Sequence, residues 1–303
     1  MNNSRSRRVL AWGRWLDARF WRVARRCYWP TVGASLLMGI VLVLWSVWIE
    51  PNRLIVNTTT IAVPQWPTGF QQFKVVALSD LHVGAPYITL DKLREVVRRT
   101  NEQQPDLIVL LGDYVIQGIV GGTFTEPEVF VEILKDLRAP HGVYAVLGNH
   151  DLWFGSAQVR RAFERVGIRV LTNEAVRLER QGQTLWLAGL GDVFSRQHDL
   201  AQTLRSVTTS DPILAITHTP DIFLLLPPQF ILTLAGHTHG GQVNLPWLGR
   251  RVVPSDYGEK YAIGFVEEGT RRLFVTPGIG TSILPLRFRV PPEISVVTIT
   301  AKN

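Results

Sequence analysis

The chain has 303 residues, 32 basic and 25 acidic side chains and a formal net charge of +7. A single cysteine excludes an intrachain disulfide and a thiolate metal cluster, and the ordinary aromatic, Pro and Gly content excludes extended disorder. The excess charge is local: residues 1–30 hold eight arginines and Asp17, and subtracting these leaves 24 basic and 24 acidic side chains, so the remainder lacks the basic footprint of a nucleic-acid enzyme.

Taken in chain order, residues 1–29 form a basic segment with Trp12, Trp15, Phe20 and Trp21 among the arginines, a composition suited to an amphipathic helix on anionic lipid. Ser6-Arg7-Arg8-Val9-Leu10 faintly resembles a twin-arginine export signal, separated from the next apolar run by further arginines. Residues 30–49 predict a transmembrane anchor. Thr31 to Ile49 carries no charged residue, and as a helix it is about 28 Å long, near the roughly 30 Å of a bilayer core. Trp29, Trp45 and Trp48 sit near its ends, where indoles favour the interface, and Pro30 suits a first helical turn. A buried core helix or a cleaved signal peptide competes with this reading. The run is long for a signal sequence, however, and no small-x-small cleavage site follows it. Arginines crowd one side of the span and only Arg53 stands close behind it, so the positive-inside rule predicts a single pass through the inner (plasma) membrane. The N-terminus is then cytoplasmic and residues 50–303 lie outside the cytoplasm.

Residues 50–72 read as a linker with a lead-in strand, Leu54 to Val63, closed by Pro64, Pro67 and Gly69. From Phe73 strands and helices alternate. Apolar runs of strand type cover Phe73–Leu78, Leu107–Leu111, Val143–Leu147, Ile213–Ile216 and Ile231–Ala235, and helical spacing covers 90–100, 126–137 and 157–166. Shorter strands follow at Val176–Glu179, Thr184–Leu190, Ala262–Val266, Arg272–Val275 and Ile294–Thr300. The pattern predicts an α/β fold with two sheets packed together and covered by helices, built as one domain over 73–303.

Each of the first five runs ends in a motif rich in metal-ligand types: Asp80-Leu81-His82, Gly112-Asp113, Gly148-Asn149-His150-Asp151, Thr217-His218, and Gly236-His237-Thr238-His239-Gly240-Gly241-Gln242. Converging strand ends are where α/β proteins place their chemistry. Asp80 and His82 stand two apart, as do His237 and His239, and in extended chain such residues point the same way. Asp113, after a glycine, is placed to bridge two ions, one on each carboxylate oxygen, in the two-metal clamp used for displacement at phosphorus. Asn149 offers a neutral oxygen that leaves net charge on the metals. Oxygen and imidazole without thiolate admit two divalent ions of manganese, iron or zinc. His141 and His198 lack such context and read as surface or loop residues.

The ordered set Asp-x-His, Gly-Asp, Gly-Asn-His-Asp, a lone His and Gly-His-x-His resembles the calcineurin-like metallophosphoesterase family over Phe73 to Asn303. The Ser79–Gly84, Gly236–Gln242 and Pro277–Gly280 segments look like a bacterial branch of membrane-associated phosphodiesterases. The resemblance implies a four-layer α/β/β/α sandwich behind one N-terminal transmembrane helix. It implies that Asp80, His82 and His239 bind one metal, that Asn149, His218 and His237 bind the other, and that Asp113 bridges them. His150 would contact the scissile phosphate and protonate the leaving alkoxide, with Asp151 orienting its ring or serving the loop backbone. Arg287 and Arg289 are candidates for a phosphate clamp, or surface arginines on a terminal strand. Trp153 and Phe154 are candidates for an apolar lip or for core packing. The leading expectation is a membrane-anchored phosphodiesterase acting on lipid or other small phosphoesters, with membrane lipid as partner through the anchor and nucleic acid not expected as substrate. A UDP-sugar lipid pyrophosphatase of lipid A synthesis, which needs a cytoplasmic-side domain, and a metal-bound scaffold without activity are the alternatives.

Overall fold

The computed structural model describes the backbone of residues 5–302 and the side chains of Trp21, 25–26 and 28–302. The chain forms two units, Met1–Ser46 and Val47–Asn303. The first is one helix, α1 (Arg5–Leu44). Pro30 lies inside it rather than at its first turn, because the basic segment is rich in Ala, Arg and Leu and is itself a good helix former. The side chains of Arg7, Arg8, Trp12, Trp15, Phe20 and Cys27, on which the export-signal and amphipathic readings rest, lie outside the described residues. Tyr28–Asn52 has a mean hydropathy of 2.2 and is long and apolar enough to cross a membrane. Leu36, Leu37, Ile40 and Val43 are exposed, unlike the side chains of a core helix.

The second unit holds two six-stranded sheets. The first contains β1 (Ile55–Val63), β2 (Phe73–Leu78), β3 (Leu107–Leu110), β4 (Val143–Ala145), β5 (Arg169–Val170) and β12 (Glu293–Ala301), in the order β1-β12-β2-β3-β4-β5. The second contains β6 (Glu174–Arg180), β7 (Gln183–Gly189), β8 (Ile213–Ile216), β9 (Phe230–Ala235), β10 (Gly264–Glu268) and β11 (Arg271–Val275), in the order β10-β11-β9-β8-β7-β6. The central strands of both are parallel. Leu78 pairs with Leu110 and Leu110 with Ala145, while Ile216 pairs with Gly189 and Leu234, so in each sheet the C-terminal strand ends line up along one edge.

Alternation along the strands builds the layers. Val75, Ala77, Leu107 and Val109 pack against Leu187, Leu214, Ile216 and Leu234 of the other sheet. Their neighbours Val76, Leu78, Ile108 and Leu110 face the other way, onto α2 (Leu90–Asn101), α3 (Pro127–Leu134) and α4 (Asn149–Arg165). On the far side Trp186, Ala188, Ile213 and Ala215 are covered by α5 (Leu200–Arg205) and the 3-10 helix Pro220–Leu225, a thinner layer. Burial on both faces explains why these strands read as unbroken apolar runs. The result is the expected α/β/β/α sandwich.

Two boundaries differ from the sequence reading. Helix α4 begins at Asn149, eight residues earlier than its apolar spacing predicts, because its first turn carries the polar motif; Gly155 (φ 149°) breaks the helix one turn beyond that motif. The segment 50–72, read as linker and lead-in strand, is woven into the domain. β1 pairs along its whole length with β12, and Ile61 and Val63 are buried between the sheets. A version of the protein starting at Val47 should therefore unfold in one cooperative transition by circular dichroism. One starting at Phe73 should lose that transition, since β12 is left with a bare edge.

Candidate metal centre

The five motifs meet at the aligned strand ends. The ligand-type atoms fall into three groups: Asp80, His82 and His239; His82, Asp113 and His150; and Asp113, His218 and His237; within each group the atoms lie within 4.8 Å of one another. Asp113 is central. Its Oδ2 stands 3.3 Å from His218 Nε2, 3.7 Å from His82 Nε2 and 3.9 Å from His150 Nε2, while Oδ1 accepts the His150 backbone N–H at 2.9 Å. One carboxylate oxygen thus faces both groups. The other oxygen, Oδ1, meets the turn into α4 through that N–H and keeps a second lone pair free for a cation. Asn149 Oδ1 lies 3.2 Å from His218 Nε2, and His237 Nδ1 lies 3.1 Å from the same nitrogen. Asp80 Oδ1 is 3.3 Å from His239 Nε2, and its Oδ2 accepts the His237 backbone N–H.

The local backbone is not the extended chain that the two-residue spacing suggested. Asp80, His82, Asp113, His237 and His239 all adopt positive φ, between 42° and 69°. Such conformations are uncommon for non-glycine residues and persist where the surroundings fix them. These five residues are therefore aimed by tight turns off their strands. The glycines serve close approach: a Cβ on Gly148 would stand 2.2 Å from Asp113 Oδ1, and one on Gly112 (φ 93°) would stand 2.6 Å from the Gly148 nitrogen.

The donor set fits divalent cations. Asp80 Oδ1, His82 Nε2 and His237 Nε2 are buried and make no hydrogen bond, an unfavourable state for polar atoms unless a ligand meets them. His218 Nδ1 lies 2.7 Å from the Leu111 carbonyl and His82 Nδ1 lies 3.3 Å from that of Val115. A carbonyl only accepts, so the ring proton sits on Nδ1 and Nε2 is left as a lone pair, the arrangement usual for metal-ligating histidine.

The charges are tightly balanced. Burial works against ionised Asp113, yet the charges of His218, His82 and His150 hold its carboxyl well below the usual range. Burial pulls the other way on His218, but Asp113 lifts it to about 10. His237 is pushed down to about 4 by burial and by His218, and burial with His82 and Arg287 lowers His239. In the absence of cations, a proton on His218 therefore supplies the countercharge for Asp113.

His150 differs from the other histidines. Its side chain is 12% exposed, at the rim, with its ring centroid 4.9 Å from that of Trp153. Asp151 does not hold the His150 ring. Its two oxygens accept four backbone N–H groups, from Gly148, Asp113, Tyr114 and Val115, at 2.8–3.1 Å. Of the two roles read for it, the loop-backbone role matches these contacts, and burial beside Asp113 raises it to about 7.

Arg287 is corrected as a phosphate clamp. It is fully buried, and its guanidinium donates to the carbonyls of Pro277, Gly278, Gly280 and Val290, which leaves it unable to turn toward a substrate. Arg289 is exposed with φ 57°. Trp153 is exposed beside the His150 ring, whereas Phe154 packs on Phe124 and the core. His141 lies against Phe73, away from the centre. Two residues were missed. Buried Asp192 accepts from Thr219 Oγ1, next to His218, and from the Ser195 backbone. It follows a strand and a glycine as Asp113 does, so its signal was present. Phe194, 5.3 Å from the His237 ring and 6.4 Å from Trp153, carries no sequence signal of its own.

Residues 73–241 match the family described as calcineurin-like phosphoesterase. The chain is 33% identical to the uncharacterized metallophosphoesterase YkuE of Bacillus subtilis over 259 residues, 84% of this chain and 89% of the relative. It is 29% identical to the phosphodiesterase YaeI of Escherichia coli, over 74% of this chain and 81% of that one. A transmembrane protein with metallophosphoesterase domain from Danio rerio is 30% identical over 79% of this chain and 56% of its own length.

Replacing Arg287 by Met should destabilise the fold by about 3–5 kcal/mol in urea unfolding, the range for breaking a buried charge network. Lysine should rescue little of it, because an ammonium lacks the planar fork that reaches four carbonyls.

Proposed function

The chain belongs to the calcineurin-like phosphoesterase family, and from that premise we propose that it is a membrane-anchored, two-metal phosphodiesterase. Its substrates are lipid or other small phosphoesters outside the cytoplasm. The observation that carries this reading is the placing of Asp113 Oδ2 between two groups of buried imidazoles, with the mostly buried His150 ring at the rim beside it. Asp80, His82 and His239 would hold one cation and Asn149, His218 and His237 the other, with Asp113 shared. Two such cations, when bound, supply Lewis acidity toward the phosphoryl group and toward water.

The protein's own groups do the remainder. Asp151 fixes the backbone of the Asp113 and Asn149 loops, so that the carboxylate and the amide keep their spacing. The His150 N–H turns Asp113 so that Oδ2 faces inward. The His150 ring, against Trp153 and edge-on to His82, stands at the solvent side with its Nε2 toward the centre, placed to give a proton to a leaving alkoxide. Trp153 and Phe194 border the opening and narrow the access of water.

Changing His150 to Ala should leave the metal content at two ions per chain by elemental analysis, since its ring is not among the assigned ligands. Turnover should fall by roughly 10²–10⁴, the range for general-acid catalysis. The loss should shrink for diesters with good leaving groups, which need no proton; equal losses on good and poor leaving groups would remove His150 from the acid role. Chelation should abolish diester hydrolysis and manganese should restore it.

Proteolysis of intact spheroplasts tests the topology. The domain should be cleaved from outside while residues 1–29 are protected. A domain protected from external protease would overturn the proposed location and favour a pyrophosphatase working on the cytoplasmic leaflet.

A further inference from the structure

Beside the metal centre, on the far side of His239, lies an apolar groove of about 420 Å³, within the size range of small-molecule sites. Val243, Leu245, Val252, Ile283, Leu284 and Leu286 line it, with His239 at one end and Arg251 as the cation in its wall. The wall residues stand open rather than packed: Val252 is 76% exposed and Ile283 67%, and Trp247 beside them is fully exposed. Apolar surface grouped in this way on a folded domain marks a binding site.

Two features show that the groove is built. Ile283 (φ 60°) holds its side chain out from left-handed backbone, which for a β-branched residue is a strained state kept only where the surroundings enforce it. The enforcing group is Gln242, the last residue of the Gly-His-Thr-His-Gly-Gly-Gln motif and one without a role in the metal centre. Its amide nitrogen donates to the Ser282 carbonyl at 3.1 Å and its amide oxygen accepts the Ser282 N–H. The Phe288 N–H donates to the Gln242 carbonyl, and Val290, two residues on, donates to Glu50 at the end of the apolar span. The groove wall is thus tied at one end to the His239 loop and at the other to residues that continue into the membrane segment.

We propose that this groove is an acyl-chain subsite: it takes one fatty chain of a lipid phosphoester whose phosphate lies at the metal centre across His239. The assignment rests on the phosphodiesterase reading and deepens it, because it names lipid as the substrate class. An apolar trough that ends at a metal-ligating imidazole suits a molecule with a phosphate joined to hydrocarbon. The single arginine in the wall suits the negative charge of such a headgroup or of its neighbours in the bilayer.

The test uses the full chain, loaded with manganese, in nanodiscs, and measures binding of n-alkylphosphonates of two to ten carbons by calorimetry. Leu284→Asn and Val252→Asp, both at exposed positions where folding is retained, are compared with the unchanged protein. In the unchanged protein the affinity should rise with chain length, by up to about fourfold per methylene, and then level off as the groove fills. Both variants should bind ethylphosphonate as tightly as the unchanged protein but bind decylphosphonate at least tenfold more weakly. The same rise in variants and unchanged protein would mean that the chains enter the bilayer, and would overturn the subsite. A flat series with ethylphosphonate still bound would also overturn it while leaving the phosphodiesterase reading in place. Failure of ethylphosphonate itself to bind would instead remove the phosphodiesterase reading, and the subsite with it.

Discussion

Asp113 is a carboxylate with almost no access to water, and the rest of the site is arranged around the charge it keeps there. An isolated buried carboxylate is unfavourable by many kcal/mol and would take up a proton instead. Here three imidazoles surround one of its oxygens and a helix-opening N–H meets the other. The arrangement is consistent only if positive charge occupies the space between the imidazoles. A proton on His218 satisfies that demand in part; divalent ions would satisfy it further and would also meet the unpartnered atoms of Asp80 and His82.

That constraint explains the second acid of the motif. Asp151 neighbours the catalytic candidate in sequence, but its work is structural. It gathers four N–H groups from two loops, and it joins the end of β3 to the start of α4. Buried N–H groups need partners, and one carboxylate can meet several. Arg287 does the converse for the opposite side of the site. It gathers carbonyls from the Pro277–Gly280 turn, with Asp80, Glu50 and Glu293 as its charged surroundings. The loops of Asp113 and Asn149 are thus held by a buried anion and the turn that backs Asp80 by a buried cation, so the geometry of the centre does not rest on the strands alone.

The network also reaches the membrane end of the domain. Glu50, in the last turn of the apolar segment, accepts from Val290, and Tyr87 donates to the Val47 carbonyl. Residues 47–52 are therefore part of the catalytic unit, close to the turns that carry Arg287 and the apolar groove.

The sequence by itself determined the strand cores, the apolar span and which ligand-type residues follow the strands, because each is written in local pattern. Runs of buried Val, Ile and Leu mark parallel strands whatever surrounds them, and Asp80, His82, Asp113, Asn149, His218, His237 and His239 announce themselves by falling just after such runs. Tertiary structure alone decided what those residues touch. It turned five of them through left-handed backbone, gave Asp113 Oδ1 to the His150 N–H, and made the segment before Phe73 an edge strand through a partner some 240 residues later in the chain. It also decided between the two readings of Asp151, and it replaced both readings of Arg287, clamp and surface residue, with a buried tie of backbone carbonyls. A carboxylate or a guanidinium reads the same in sequence whether it faces a substrate or satisfies its own backbone, and only the partners brought by folding separate the two.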